Sequence, residues 1–172
     1  MKKMFLLACL TALAPLLLTS CGGDSEEGSP AEAVVTPAKP AATALPEVGL
    51  FNFEENGKWG YWNWEKRIII PPTYDRAEGF FEGMAAVMLD GKWGYIDWTG
   101  EMVIPPTFEW AMYFSEGMAP VKIGGKWGYI NREGDVVIEP LYSLANDFTD
   151  GRAEVEMNGK RFYIDPAGNP VD

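Results

Sequence analysis

A thirty-four-residue unit recurs three times without insertion, as residues 57–90, 91–124 and 125–158, and it constrains the fold more than any other property of the chain. Self-similarity at a fixed period marks a supersecondary module that cannot bury its own apolar face and must stack on its neighbours. In-register fragments flank the three copies, the tail of a unit at 49–56 and the head of one at 159–172. Phased from the apolar stretch before each Gly-Lys, the repeat region divides into four modules near 50–72, 84–106, 118–140 and 152–172.

The same period occurs in helical repeats, so the residues must decide the class. Each unit carries Gly-Lys-Trp-Gly or its equivalent, one or two prolines and a cluster of β-branched residues, with no apolar stripe long enough for two helices. The junctions Asn56-Gly57, Asp90-Gly91, Gly124-Gly125 and Asn158-Gly159 tolerate positive φ at both central positions and predict type I′ hairpins. A second reversal is expected at Trp98-Thr99-Gly100, Arg132-Glu133-Gly134 and Pro166-Ala167-Gly168, with Lys66 in the glycine position of the first unit. A third strand follows, and Pro71, Pro105 and Pro140 are expected to end it or lie just past it, because proline donates nothing to a ladder. The prediction is all-β: tandem three-stranded antiparallel meanders, about four modules, in an open or curved array, with a small propeller-like ring as the alternative closure.

Between modules, Tyr74, Ala77 and Phe80 recur as Phe108, Ala111 and Phe114 and as Tyr142, Ala145 and Phe148. Their spacing of three suits a short helical turn that docks one module on the next. Trp59, Trp93 and Trp127 are expected in the packed inter-module layer. Lys58, Lys92, Lys126 and Lys160 form a row beside the tight turns, placed to pair across strands or to guard edges.

The N-terminus has its own logic. Lys2 and Lys3 precede a mostly apolar run from Met4 to Leu18, too short for a stable anchor helix, so residues 1–20 read as a targeting segment. Leu18-Thr19-Ser20-Cys21 resembles the bacterial lipobox, and that resemblance implies cleavage before Cys21 and lipidation of that residue. Residues 21–48, rich in Pro, Ala, Gly and acid, lack the apolar side chains to offset ordering and read as a disordered tether to the repeat domain at 49–172.

Charge and composition exclude several functions. The formal net charge is −11, and taking Lys2 and Lys3 from the 14 basic residues leaves 12 against 25 acidic ones, a balance that repels phosphate backbones and argues against nucleic acid. Histidine is absent, and the two cysteines both lie in the leader and lipobox. The commonest general base, thiol nucleophile and transition-metal ligands are therefore missing, and no catalytic residue, metal site or cofactor is expected. Glu82, Glu116 and Asp150 recur in a row, but each precedes a turn glycine, where an acidic cap explains it.

The segments Lys58-Trp59-Gly60-Tyr61, Lys92-Trp93-Gly94-Tyr95 and Lys126-Trp127-Gly128-Tyr129, each joined downstream to Ile-Pro-Pro or Ile-Glu-Pro and a Phe-x-acid-Gly-x-Ala stretch, resemble the WG β-repeat family of bacterial proteins over residues 49–172. The fourth copy departs from the pattern, with Arg161 and Phe162 in place of Trp and Gly, as suits a terminal cap. The resemblance implies a repeated β architecture with an interaction role and carries no catalytic residues. Aromatics outside the repeat pattern, Trp64, Trp98, Trp110 and Tyr113, form the candidate binding face, since a rigid repeat builds specificity where its copies differ. The expected protein is exported and lipid-anchored to a bacterial membrane, at the outer membrane or cell surface. It acts as a non-catalytic protein-interaction scaffold; the alternative is a carbohydrate-binding module using the exposed aromatics.

Overall fold

A computed structural model describes residues 49–171; the expected leader, Cys21 and tether lie outside the described residues. The domain is an open array of four antiparallel sheets, one per module. β1 (Phe51–Glu55), β2 (Lys58–Trp62) and β3 (Ile68–Tyr74) form a three-stranded sheet. β4 (Arg76–Phe81), β5 (Met84–Leu89), β6 (Lys92–Asp97) and β7 (Met102–Phe108) form the second, with four strands in sequence order. The third contains β8 (Trp110–Ala111), β9 (Ala119–Ile123), β10 (Lys126–Ile130) and β11 (Val136–Tyr142). The fourth contains β12 (Leu144–Ala145), β13 (Ala153–Met157), β14 (Lys160–Ile164) and β15 (Pro170–Val171).

The tight turns are as the dipeptides predict. Asn56 and Gly57 have φ of 53° and 78°, and the other three pairs match them, so Glu55 pairs with Lys58, Leu89 with Lys92, Ile123 with Lys126 and Met157 with Lys160. The second reversal is held by a side chain one residue upstream of the expected loop. Asn63, Asp97, Asn131 and Asp165 each accept through Oδ1 the backbone N–H groups two and four residues on, at 2.8–3.1 Å.

Two expectations need correction. The connecting segments are extended, not helical: they contribute β4, β8 and β12, short strands that pair with the next module, for example Arg76 with Met88 and Ala77 with Val87. The meander therefore gains a fourth strand in every module but the first. The prolines, moreover, do not stop the third strand. β3 runs through Pro71-Pro72, β7 through Pro105-Pro106 and β11 through Pro140, because the ladder skips there: Tyr61 pairs with Ile70 and Trp59 with Tyr74, so the residues between bulge without owing a donor. That bulge explains the glycine of the first three copies. A Cβ on Gly60 would lie 2.5 Å from the Ile70 carbonyl oxygen and 2.7 Å from Pro71 and Pro72 backbone atoms, and Gly94 and Gly128 are crowded in the same way. In the fourth module Phe162 takes this position and packs edge-on to Tyr142 instead.

The core sits between successive sheets. Tyr61, Ile70, Tyr74 and Ala77 meet Ala85, Val87 and Ile96 at the first junction. The second gathers Trp93, Tyr95, Ile104, Phe108 and Phe114 around Ala119, Val121 and Ile130, and the third gathers Tyr129, Ile138, Tyr142 and Phe148 around Ala153, Val155 and Ile164. One joint is repeated at all three. The Tyr61 hydroxyl donates to the Glu78 carbonyl at 2.7 Å while its ring meets Phe80 edge-on; Tyr95 does the same to Met112 and Phe114, and Tyr129 to Asn146 and Phe148. The docking role expected of Phe80, Phe114 and Phe148 is thus realised on the tyrosine of each copy.

Candidate binding cleft

Stacking brings loops from three modules round one open cleft of about 780 Å³. Leu50 and Phe80 come from the first module and the start of the second sheet, Met84 and Val103 from the second sheet, and Trp98 from its Asx-stabilised turn. Glu82, Asp97, Arg132 and Glu133 supply the charge. The lining is mostly apolar, and the charged groups set three carboxylates against one guanidinium.

Glu82 fixes one wall. It adopts φ 49°, a conformation strained for a residue with a side chain, and its Oε2 accepts the Gly117 N–H at 3.0 Å, thirty-five residues on. Glu116 repeats the bond to Gly151 at 3.0 Å. Glu82 and Glu116 are therefore inter-module latches, each carboxylate tied to the turn of the following copy. Arg132 Nη1 lies 3.9 Å from Glu82 Oε2, both side chains partly exposed, a loose ion pair that draws the third-module turn toward the cleft.

The four off-pattern aromatics occupy different surroundings. Trp98, half-buried, lines the cleft. Trp64, its counterpart one module earlier, is 66% exposed in the turn after β2. Trp110 is 47% exposed and leans its ring on Trp93, centroids 5.6 Å apart. Tyr113 stacks on Phe81 at 4.5 Å, and the Asp147 carboxylate beside it raises the phenol pKa, so it lies between the first connecting segment and the third. Among the described residues no ring contact joins Trp64, Trp98 and Trp110. Of the repeat tryptophans, Trp93 is 1% exposed while Trp59 and Trp127 are half-buried. In the lysine row, Lys58 bonds Asp75 at 2.6 Å and holds that carboxyl below its ordinary pKa.

Sequence reasoning did not single out Arg132, Leu50 or Phe80 as cleft residues. Arg132 carried a signal, since it stands where the two preceding copies have tryptophan. Among the described residues no group of His, Cys, Asp or Glu is arranged to hold a metal ion. An aromatic wall with apolar neighbours and a rim of hydrogen-bonding charges is suited to gripping a projecting side chain or ring.

A family model described as the WG containing repeat matches residues 59–93, 93–127 and 127–160. No curated protein and no solved structure matches the chain.

Proposed function

The chain belongs to the WG containing repeat family, and from that premise we propose that it is a non-catalytic protein-interaction scaffold held at a bacterial membrane by a lipid on Cys21. The observation that carries the interaction role is the cleft, whose Leu50, Phe80, Met84 and Trp98 form an apolar lining across the first two modules, with Glu82, Asp97 and the third module's Arg132 and Glu133 at the rim. A partner segment with a large apolar or aromatic side chain fills such a site, and the rim fixes its orientation. The anchoring reading rests on the charged start, apolar run and Leu18-Thr19-Ser20-Cys21 of the leader, and the Pro- and Ala-rich stretch to residue 48 gives the array reach from the surface. Export to the cell surface or envelope follows from the same leader. A glycan ligand is the second reading, favoured by the exposed edge of Trp98 beside carboxylates able to accept sugar hydroxyls.

Photo-crosslinking in intact cells, from a reactive residue at position 98 and, as control, at position 160, tests this proposal. A defined protein adduct at 98 alone, lost on Arg132→Glu and Leu50→Lys, is expected. No adduct at 98, together with quenching of tryptophan emission by soluble glycans, would replace the scaffold by the sugar-binding reading. Cys21→Ser should release the protein from the membrane fraction, and retention there would end the anchoring proposal.

A further inference from the structure

β1 lacks, among the described residues, the strand that its counterparts carry. In the other sheets a connecting strand lies on the outer side of the meander, β4 on β5, β8 on β9 and β12 on β13, whereas β1 is the edge of a three-stranded sheet. In those sheets Asp75, Glu109 and Ser143 donate to the carbonyls of Met88, Lys122 and Glu156 at 2.7–3.0 Å, and Met112 and Asn146 donate to those of Pro120 and Glu154 at 3.0 Å. The thirty-four-residue period places Glu54 and Asn52 at these acceptor positions. Edges are ordinarily blunted by prolines, bulges or brevity. Here β3, β7, β11 and β15 carry prolines, β8 and β12 have two residues each, and β4 is irregular between Ala77 and Phe80. β1 has none of these, and its five residues pair with β2 without a break. Beside its edge lies an uncovered aromatic face. Phe51 is opposite Trp62, and the Phe53 ring stacks on Trp62 with centroids 4.5 Å apart. Their counterparts in the later copies are alanine, valine and isoleucine, sealed at 0–1% exposure against the preceding module, whereas Phe51 is 54% exposed.

We propose that β1 takes up an extended basic segment of a partner protein, which adds antiparallel as a fourth strand and completes the first sheet. The chain's own preceding residues are unsuited to that place. The connecting strands return through a turn in which Glu82, Glu116 and Asp150 take φ of 49–53°. Val48 stands at that position, where a β-branched side chain is costly, and Pro46 stands where the later copies have Phe80, Phe114 and Phe148. Pairing with β2 through the tight turn occupies the amides of Phe51, Phe53 and Glu55 and turns those of Asn52 and Glu54 outward, toward the incoming backbone. Side chains of an added strand alternate. Those in the place of Ala77 lie on the side of Phe51, Phe53 and Trp62 and are apolar; those in the place of Arg76 lie beside Glu54. Lys58 is held by Asp75 and Lys66 lies over Trp62, while Glu54 and Glu55 have no cationic partner among the described residues. With a net charge of −11 behind them, these carboxylates select lysine or arginine and disfavour a second copy of the chain. The edge is distinct from the cleft, to which β1 contributes no residue.

The probe is a short synthetic peptide alternating lysine and valine, added to the full-length chain in mild detergent, with amide hydrogen exchange resolved at Asn52 and Glu54. Exchange at both should slow about tenfold or more. N-methylation of the lysines, whose amides face β1, should abolish the protection, and N-methylation of the valines should leave it. Glu54→Pro removes an outward N–H without touching the ladder to β2 and should weaken binding about tenfold or more, whereas Glu54→Gln, which keeps the backbone, should weaken it about threefold. Far-UV circular dichroism confirms that both variants fold. Binding indifferent to which residues carry the methyl groups is charge attraction alone and overturns the proposal. Absence of protection at Asn52 and Glu54 overturns it equally, as does loss of binding on Trp98→Ala, which would assign the peptide to the cleft.

Discussion

Trp93 and Trp127 occupy the same position of the same strand in successive modules, yet one is sealed and the other half open. Their backbones are set alike, Trp93 opposite Phe108 and Trp127 opposite Tyr142. The difference comes from a residue outside the repeat: Trp110 lies over Trp93, while Leu144 takes its place beside Trp127. The seal has a cost, since the buried Trp93 Nε1 finds no hydrogen-bond partner. Placement is thus a property of the repeat and burial a property of the copy.

The largest effect should separate the two tryptophans. Trp93→Ala is expected to lose ~3–5 kcal/mol by chemical denaturation and Trp127→Ala about half of that, because its ring is already half in water. Equal losses would break the comparison. Trp110→Leu, which makes the second copy like the third, should red-shift the Trp93 emission. The tyrosine joint is common to all copies, so Tyr95→Phe and Tyr129→Phe should cost alike, ~1–3 kcal/mol each, by stranding the Met112 and Asn146 carbonyls. Unequal costs there would show that copy-specific burial reaches this joint too.

The latches should behave unequally again. Glu116→Ala loses the bond to Gly151 and about 1 kcal/mol, whereas Asp150→Ala, in the same position one copy later with no such bond among the described residues, should stay within about 0.5 kcal/mol of wild type. The smallest effects are in pH. Burial raises the phenol pKa of Tyr61, Tyr95 and Tyr129, so their contribution is complete below the ordinary value of 10.0 and is lost as pH climbs above it. Asp75 and Asp165 are shifted down by their hydrogen bonds, from Lys58 and Asn169 respectively, so their contribution is present above the ordinary 3.8 and fades as pH falls below it. Thermal midpoints should therefore be flat between these limits and fall outside them.

What was legible in the chain is what local chemistry determines. Asn-Gly and Asp-Gly announce their turns without reference to anything distant, and repetition made the strand boundaries mutually consistent. The extra strand was hidden because Arg76-Ala77 and its equivalents have no alternation of their own and become strands only on meeting β5, β9 and β13. The role of Gly60 was hidden for the same kind of reason, since the backbone that crowds it belongs to prolines ten residues away that appeared to be strand terminators. At the candidate site, the departures of Trp98 and Arg132 from the pattern were visible. Their sharing of a cleft depends on how three modules stack, and no single module encodes that.

The latch from Glu82 to Gly117 and from Glu116 to Gly151 spans the same thirty-five residues each time and joins parts that every full copy possesses. A bond of that kind is indifferent to its ordinal place, so duplication in the gene can lengthen such a protein by one step without redesigning the joint. The module is in this sense a unit of measure, and selection can set how far the array extends independently of what any one copy recognises.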